Sequence, residues 1–254
     1  MLSGSSSHRL GAVIPEWLVV EASPQFRDRC DAGRRLAEVL RPKDLDDAVV
    51  VGLARGGIVV AAEVASALHL ALDVVAVRKV GHPLQPELAI GAVAPGDGVY
   101  LRGGDELEPE ERDAIVQAAK RAAADLDRRL HSGSPPLDLR GRTALLVDDG
   151  LATGATMIAA ARWARGEGAA RVVAAVPVAA AQTIEVVSHE VDQVVCPHPQ
   201  QRFYAVGVWY ESFEQVENDE VIRLLEAARS EPPVPAGSPL ADRSGPRPMP
   251  DASA

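Results

Sequence analysis

Residues 143–156 read TALLVDDGLATGAT, an apolar run that leads into two acidic residues and then into small and hydroxyl-bearing ones. The apolar run Thr143–Val147 predicts a buried strand, and Thr153–Glu167 predicts the helix that follows it. Small residues at a helix start leave backbone N–H groups open to an anion, with the positive end of the helix dipole behind them. We therefore expect a phosphate site in the loop between this strand and this helix.

The two acidic residues of this stretch, Asp148 and Asp149, leave the tip of the predicted strand together. Carboxylates beside a phosphate site suggest sugar hydroxyls or a hydrated Mg²⁺ as their partners. The loop lacks the lysine of the GxxxxGK[ST] motif, which occurs nowhere in the chain. The structural alternative is an Asp-Gly turn followed by a threonine that caps the helix.

Outward from this stretch, the chain alternates between apolar runs and helical patterns. The predicted strands are Ala48–Leu53, Leu72–Val77, Thr143–Val147, Arg171–Val178, Gln193–Cys196 and Ala205–Trp209. The predicted helices are Phe26–Leu40 after a Ser23-Pro24 start, Ile58–Leu68, Glu108 to about His131, Thr153–Glu167, Ile184–Ser188 and Asp219–Ala228. Between them, residues 80–104 are polar, rich in Gly and Pro, and contain two short extended pieces.

Apolar strands without polar alternation, each joined through a helix, predict an α/β fold with a doubly wound parallel sheet. Ligands bind such sheets at the carboxyl ends of the strands. Functional residues are therefore expected just after Leu53, Val77, Val147 and Val178.

Composition limits the classes of partner. Of the 254 residues, 47% are hydrophobic, and 26 basic against 36 acidic residues give a net charge of −10. A negative chain is a poor match for nucleic acid or an anionic membrane surface, so we expect neither partner. Cys30 and Cys196 form no CxxC pair, which argues against a disulfide framework and a zinc site.

The two ends of the chain differ from its middle. Residues 1–22 and the proline-rich residues 231–254 hold too few large apolar groups to offset ordering entropy, so both are predicted to be disordered tails. One folded domain is expected over residues 23–230. Because the N-terminus lacks the apolar stretch of a signal peptide, we expect a cytoplasmic protein.

The DDGLATGAT segment resembles the signature of type I phosphoribosyltransferases, which use 5-phosphoribosyl-1-pyrophosphate (PRPP). The resemblance implies a doubly wound sheet with a small hood and a mobile loop. It also implies that Asp148 and Asp149 hold the ribose hydroxyls and Mg²⁺. It implies Thr153, Gly154, Ala155 and Thr156 as the loop that binds the 5′-phosphate, with Gly150 and Ala152 as further ligand-binding residues of the same segment.

A second match follows the first predicted strand, where Arg55, Gly56 and Gly57 form an Ala-Arg-Gly-Gly turn. Glycines let the backbone approach an anion, and arginine adds a bidentate contact. In the family this turn is the pyrophosphate loop, and it often holds a cis non-proline peptide bond. Alone, the turn is equally typical of an ordinary strand-to-helix connection with a solvated arginine.

A third match follows the second predicted strand, at Arg78 and Lys79. The pair resembles the Arg-Lys that opens the mobile loop of orotate and adenine phosphoribosyltransferases and helps to neutralise pyrophosphate. Residues 81–104 have the composition of such a lid. Within it, Glu87 is either a ligand-contacting acid or a solvated loop carboxylate. Two adjacent cations at a strand end are otherwise a solvated tip.

The fourth match is the stretch Phe203–Glu211, which resembles the hood of purine phosphoribosyltransferases. There an aromatic residue stacks on the base and an acid lies near the base and the metal, which implies these roles for Tyr204 and Glu211. The alternative is an aromatic that belongs to the core. One departure concerns Ala152, because hypoxanthine–guanine enzymes carry an aspartate at that position as the acid or base toward the purine.

The resemblance covers about residues 25–215 and implies an enzyme of nucleotide salvage. It would use PRPP and Mg²⁺, transfer the phosphoribosyl group to a nucleobase or related heterocycle, and release pyrophosphate. Asp148, Asp149, Arg55 and Lys79 would be its catalytic residues. Dimers are common in the family, so a homodimer is one expected assembly.

Two other functions remain open from the sequence. A regulatory protein could keep the fold and sense PRPP or a nucleotide without turnover, although the net charge and the lack of a separate DNA-binding segment count against it. Its basic face would be Arg27, Arg29, Arg34 and Arg35, which otherwise form a solvated surface. A phospho-acceptor receiver domain requires acids after the first strand, where this chain has Ala-Arg-Gly-Gly.

Overall fold

A computed structural model describes residues 24–45, 47–133 and 135–230, and within them it leaves out the side chains of residues 86–88. The predictions for residues 1–22 and 231–254 lie outside these ranges. In the part of the chain that is described, no helix is long and apolar enough to cross a membrane.

The elements follow the alternation that the sequence predicts. The strands are β1 (Ala48–Ala54), β2 (Ala71–Ala76), β3 (Arg78–His82), β4 (Gln85–Val93), β5 (Val99–Leu101), β6 (Thr143–Val147), β7 (Arg171–Ala175), β8 (Val178–Ala180), β9 (Gln193–Val195) and β10 (His198–Gln200). The helices are α1 (Arg29–Leu40), α2 (Gly57–Leu68), α3 (Pro109–Leu130), α4 (Ala155–Gly166), α5 (Ala181–Ser188) and α6 (Asn218–Ser230). A 3₁₀ turn covers Val206–Trp209.

The centre of the fold is a five-stranded parallel sheet in the order β2-β1-β6-β7-β9. Its strands are apolar on both faces, so both faces must be covered. Leu36, Val64 and Leu225 belong to the apolar cluster on one face, which joins α1, α2 and α6 to the sheet. Ile158 and Val187 belong to the cluster on the other face, with α4 and α5. The doubly wound α/β prediction is confirmed.

Residues 78–101 fold differently from the prediction of two short extended pieces. They form a three-stranded antiparallel sheet, β3-β4-β5, in which β3 and β4 are a hairpin with irregular register at Gly81. Val80, Ile90 and Val93 bury its inner face against α3 through Val116. The expected motion of this segment as a lid stays a prediction.

The first helix begins later than predicted. Its N-cap is Asp28, whose carboxylate accepts from the backbone N–H of Asp31, so α1 starts at Arg29 rather than after Ser23-Pro24. The preceding residues are drawn into an extended contact with the far end of the domain, because the backbone N–H of Phe26 donates to the carbonyl of Trp209 at 3.0 Å.

One predicted strand is interrupted and another is not a strand. Arg171–Val178 is interrupted, since β7 ends at Ala175 and Pro177 has no N–H for a ladder. Val178 then begins β8, which pairs with β10 outside the central sheet. The predicted strand Ala205–Trp209 is the 3₁₀ turn, because Gly207 packs against the ring of Phe213 and its carbonyl accepts from the N–H of Tyr210. We call residues 203–214 the hood segment.

Candidate functional site

The acidic pair lies at the carboxyl edge of the central sheet, against the glycine turn of the neighbouring strand. Asp148 and Asp149 follow β6, and Gly56 and Gly57 follow β1 beside it. A Cβ atom on Gly57 would lie 2.9 Å from Oδ1 of Asp148, and one on Gly56 would overlap Oδ2 of Asp149. The Ala54–Arg55 peptide bond is cis, as the resemblance implies. The two motifs therefore form one surface.

Burial makes both carboxyl groups harder to ionise. It raises the pKa of Asp148 well above its usual range, and the charge of Asp149 adds to this, while the cations of Arg29 and Lys79 oppose it. Burial also raises the pKa of Asp149, against the opposing effect of Arg29. The pair is thus poised for a ligand that supplies hydroxyl donors or positive charge.

Arg29 is a site residue that the sequence analysis placed only on a basic surface. Its Nε donates to Oδ2 of Asp149 at 2.8 Å, and its Nη1 donates to the carbonyl of Glu214 at 2.7 Å. Its guanidinium lies over the ring of Phe213, with the central carbon 3.7 Å from the ring centroid. Only 11% of the side chain is exposed. Arg34, on the same helix, pairs with Glu63 at the surface.

Tyr210 is the second site residue that sequence reasoning missed. Its hydroxyl donates to the backbone carbonyl of Asp149 at 2.6 Å. Burial first, and then the charge of Asp149, raises the pKa of this phenol above its ordinary value, so the phenol remains protonated and donates. The aromatic residue that was predicted, Tyr204, is 64% exposed on the hood segment.

The loop between β6 and α4 is held open at the helix start. Gly154 has a positive φ of 77° and α4 begins after it without a side-chain cap. The hydroxyl of Thr183 donates to the carbonyl of Ala152 at 2.8 Å, and the N–H of Leu151 donates to Val178 at 3.0 Å. These bonds fix the loop, while Ala152 and Thr153 are exposed. The arrangement presents a free helix N-terminus to an anion.

The three cations predicted for pyrophosphate are Arg55, Arg78 and Lys79. Lys79 and Arg78 are exposed at the start of β3, and Lys79 is close enough to lower the pKa of Asp148. Arg55 forms a partly exposed ion pair with Glu217 at 3.3 Å. These side chains remain accessible to an anionic ligand.

The two remaining acids predicted for the site are Glu211 and Glu87. Within residues 24–45, 47–133 and 135–230 there is no group of three or more His, Cys, Asp or Glu residues that could hold a metal ion by itself. Glu211 is exposed, and its backbone N–H donates to Phe26 at 2.9 Å. Glu87 lies on β4, and its side chain is not among those described.

Residues 25–211 match the family model described as "Phosphoribosyl transferase domain". Over 208 residues the chain is 43% identical to the "Putative phosphoribosyl transferase" of Mycobacterium tuberculosis, in each of two strains. The match covers 80% of this chain and 47% of the relative, so the chain spans about half the length of the curated relatives it matches.

Among solved structures, the chain is similar to TT1426 from Thermus thermophilus. The two are 41% identical with a TM-score of 0.68, and the match covers 79% of this chain and 97% of the other.

Proposed function

The chain belongs to the phosphoribosyltransferase family, and from this premise we propose that it transfers the 5-phosphoribosyl group of PRPP to a ring nitrogen of a nucleobase or related heterocycle. The bond from C1 of the ribose to pyrophosphate breaks as the bond from C1 to nitrogen forms, and the proton of that nitrogen is released to water. The observation that carries the proposal is the packing of Gly56 and Gly57 against Asp148 and Asp149 beside an uncapped helix start.

In this reaction the chain acts mainly by positioning. The loop and first turn of α4, from Thr153 to Thr156, would bind the 5′-phosphate through backbone N–H groups and hydroxyls, and Thr153 is exposed there. Asp148 and Asp149 would accept hydrogen bonds from the ribose hydroxyls. Ribose and phosphate would then be held in a fixed relation, because both contacts come from one short segment after β6.

Charge develops on pyrophosphate as it leaves. The backbone N–H groups of Gly56 and Gly57, together with Arg55, Arg78 and Lys79, would stabilise it. Losing one such donor typically costs about 3–4 kcal/mol, or two to three powers of ten in rate.

The donor set also fits Mg²⁺ as a proposed cofactor. Mg²⁺ usually keeps several waters and is bound by one or two carboxylates together with substrate phosphates. Two adjacent, largely buried carboxylates, with waters and substrate phosphates as the other ligands, match that requirement. Asp148 and Asp149 would hold the hydrated ion, with Glu211 as a further acid, and the ion would neutralise pyrophosphate charge.

The acceptor is proposed to lie under the hood segment. Tyr204 offers an exposed aromatic face on which a flat heterocycle can stack. Ala152 is exposed where an acid would be needed to exchange a proton with a hypoxanthine-type purine, so the proposed acceptor is a base that requires no proton carrier from this loop.

The test is pyrophosphate release from PRPP and Mg²⁺ with a panel of nucleobases. We expect release with at least one base, and near-complete loss in the double variant Asp149→Asn, Thr153→Ala. Arg34→Ala is the matched control, because Arg34 lies at the surface of α1. Equal turnover in the double variant would contradict the site. PRPP binding by calorimetry without release for any base would support a sensor instead.

A further inference from the structure

Arg29 and Tyr210 both donate hydrogen bonds to Asp149, and Arg29 is the centre of this group of contacts. The Arg29 guanidinium donates to Asp149 on one side and to the carbonyl of Glu214 on the other, and it stacks on Phe213. Asp149 lies 120 positions from Arg29, and Glu214 lies 185 positions away. One side chain thus joins α1, the acidic pair and the hood segment.

The contacts of Arg29 set the orientation of the Asp149 carboxylate and also place a positive charge beside it. Nε and Nη1 of a guanidinium lie in one rigid plane, so bonding to Glu214 and stacking on Phe213 determine where Nε points. Nε in turn engages Oδ2 of Asp149, and Oδ1 remains as an acceptor. The Tyr210 hydroxyl holds the backbone of the same residue through its carbonyl. The side chain of Asp149 is therefore oriented by Arg29, which the hood segment holds in place. The backbone of Asp149 is held by Tyr210 of the hood segment itself.

We infer that Arg29 is a positioning residue that orients the Asp149 carboxylate for the ribose hydroxyls of the substrate, and that the hood segment controls this orientation through Glu214 and Phe213. The inference rests on the proposed function, because it assigns the ribose to Asp149. It predicts that recognition of the sugar depends on Arg29 more strongly than recognition of pyrophosphate does.

The experiment is calorimetry with three probes in the presence of Mg²⁺: ribose 5-phosphate, 2-deoxyribose 5-phosphate and inorganic pyrophosphate. Wild-type protein should prefer ribose 5-phosphate over its deoxy analogue. In Arg29→Ala the ratio of the affinities for ribose 5-phosphate and 2-deoxyribose 5-phosphate should fall toward one. Its affinity for ribose 5-phosphate should fall about 10- to 100-fold, the range for losing a hydrogen bond to a charged group. Pyrophosphate affinity should fall by much less, because the hydrogen bond that Arg29 makes in the site is to Asp149, although its guanidinium also packs against Gly56.

Two further variants separate positioning from folding. Arg34→Ala removes an arginine from the same helix at an exposed ion pair, and it should bind all three probes like the wild type. Arg29→Lys keeps the charge but not the planar fork, so it should show an intermediate preference, and it carries the test if Arg29→Ala does not fold. Thermal melting of each variant records its folding.

The outcomes distinguish the inference from the function. If Arg29→Ala and Arg29→Lys keep the wild-type preference for the ribose probe, the inference is wrong while the transferase proposal stands. If a folded Arg29→Ala variant loses affinity for all three probes equally, the inference is also wrong, because an equal loss would indicate a structural role for Arg29. If wild-type protein binds neither PRPP nor any of the three probes, the proposed function fails and the inference fails with it.

Discussion

Gly57 lies so close to Asp148 that a Cβ atom on the glycine would be 2.9 Å from Oδ1 of the aspartate and 2.7 Å from the carbonyl oxygen of Val147. The turn after β1 and the acidic pair after β6 thus meet through backbone, with no room for a side chain. The distance between the proposed pyrophosphate and ribose subsites depends on this contact.

Gly57→Ala should therefore separate the two subsites while the central sheet stays folded. We expect PRPP turnover to fall by about 100-fold, since a displacement of about 1 Å can have that effect on a positioned reaction. Steady-state pyrophosphate release measures it. Gly103→Ala is the control, because a Cβ there would have its nearest neighbour at 3.7 Å. Unchanged turnover in Gly57→Ala would show that the contact is not needed.

The loop between β6 and α4 provides a second prediction. Thr183→Val removes the 2.8 Å hydrogen bond to the carbonyl of Ala152 but keeps the shape of the side chain. A neutral hydrogen bond contributes about 1 kcal/mol, so we expect PRPP to bind about fivefold more weakly. Calorimetry measures the affinity. Ser188→Ala is the control. It removes another hydroxyl of α5, which donates to the carbonyl of Glu185, and we expect no change in PRPP affinity.

A charged cluster far from the acidic pair gives a pH-dependent prediction. Nε2 of His131 lies 3.0 Å from Asp73, and Nδ1 lies 3.3 Å from Asp127, with Arg229 also 3.5 Å from Asp73. Burial of the ring opposes its charge, but the hydrogen bonds to Asp127 and Asp73 outweigh burial and raise the pKa of His131 from 6.5 to about 10. The imidazolium therefore joins α3 to β2.

Because the folded pKa lies above the unfolded one, the stabilisation is fully present below pH 6.5 and is lost as the pH rises through about 10. His131→Gln should lower the free energy of unfolding by about 3 kcal/mol at the acidic end of the pH range from 6.5 to about 10. The difference from wild type should shrink toward its alkaline end. Urea unfolding of both proteins across the window measures it, and a constant difference would contradict the charged assignment.

The two cysteines should be unreactive in the folded protein. Burial raises the pKa of both the Cys30 and the Cys196 thiol to about 11, so little thiolate is present near neutral pH. We expect Ellman's reagent to react much more slowly with native protein than with protein unfolded in urea. Rapid labelling of native protein would contradict this.

The part of the site that could be predicted is local in sequence. TALLV is a strand with the bounds that its apolar run gives, and the Asp148–Thr156 segment follows it because strand, loop and helix start are consecutive. The Ala-Arg-Gly-Gly turn could be placed beside it once the two strands were assigned to one parallel sheet. Alternation of apolar runs and helical patterns was sufficient for this.

What could not be predicted depends on contacts between distant residues. Arg29 resembles Arg34 and Arg35 in its helical pattern, and only the fold brings it 2.8 Å from Asp149. Tyr210 has no local signal that separates it from Tyr204. The strand predicted at Ala205–Trp209 has the right apolar residues, but the ring of Phe213 against Gly207 bends it into a 3₁₀ turn.

The extended residues before α1 have a consequence for how activity is lost. Phe26 donates to Trp209 and accepts from Glu211, and Arg27 accepts from Ser212, so this segment and the hood segment satisfy one another's main-chain groups. Neither segment can detach without leaving main-chain N–H and carbonyl groups of the other without a hydrogen-bond partner. We therefore expect mild heat or denaturant to separate these two segments and disrupt the surroundings of Asp149 while the parallel sheet is still folded, so that PRPP binding is lost before global unfolding.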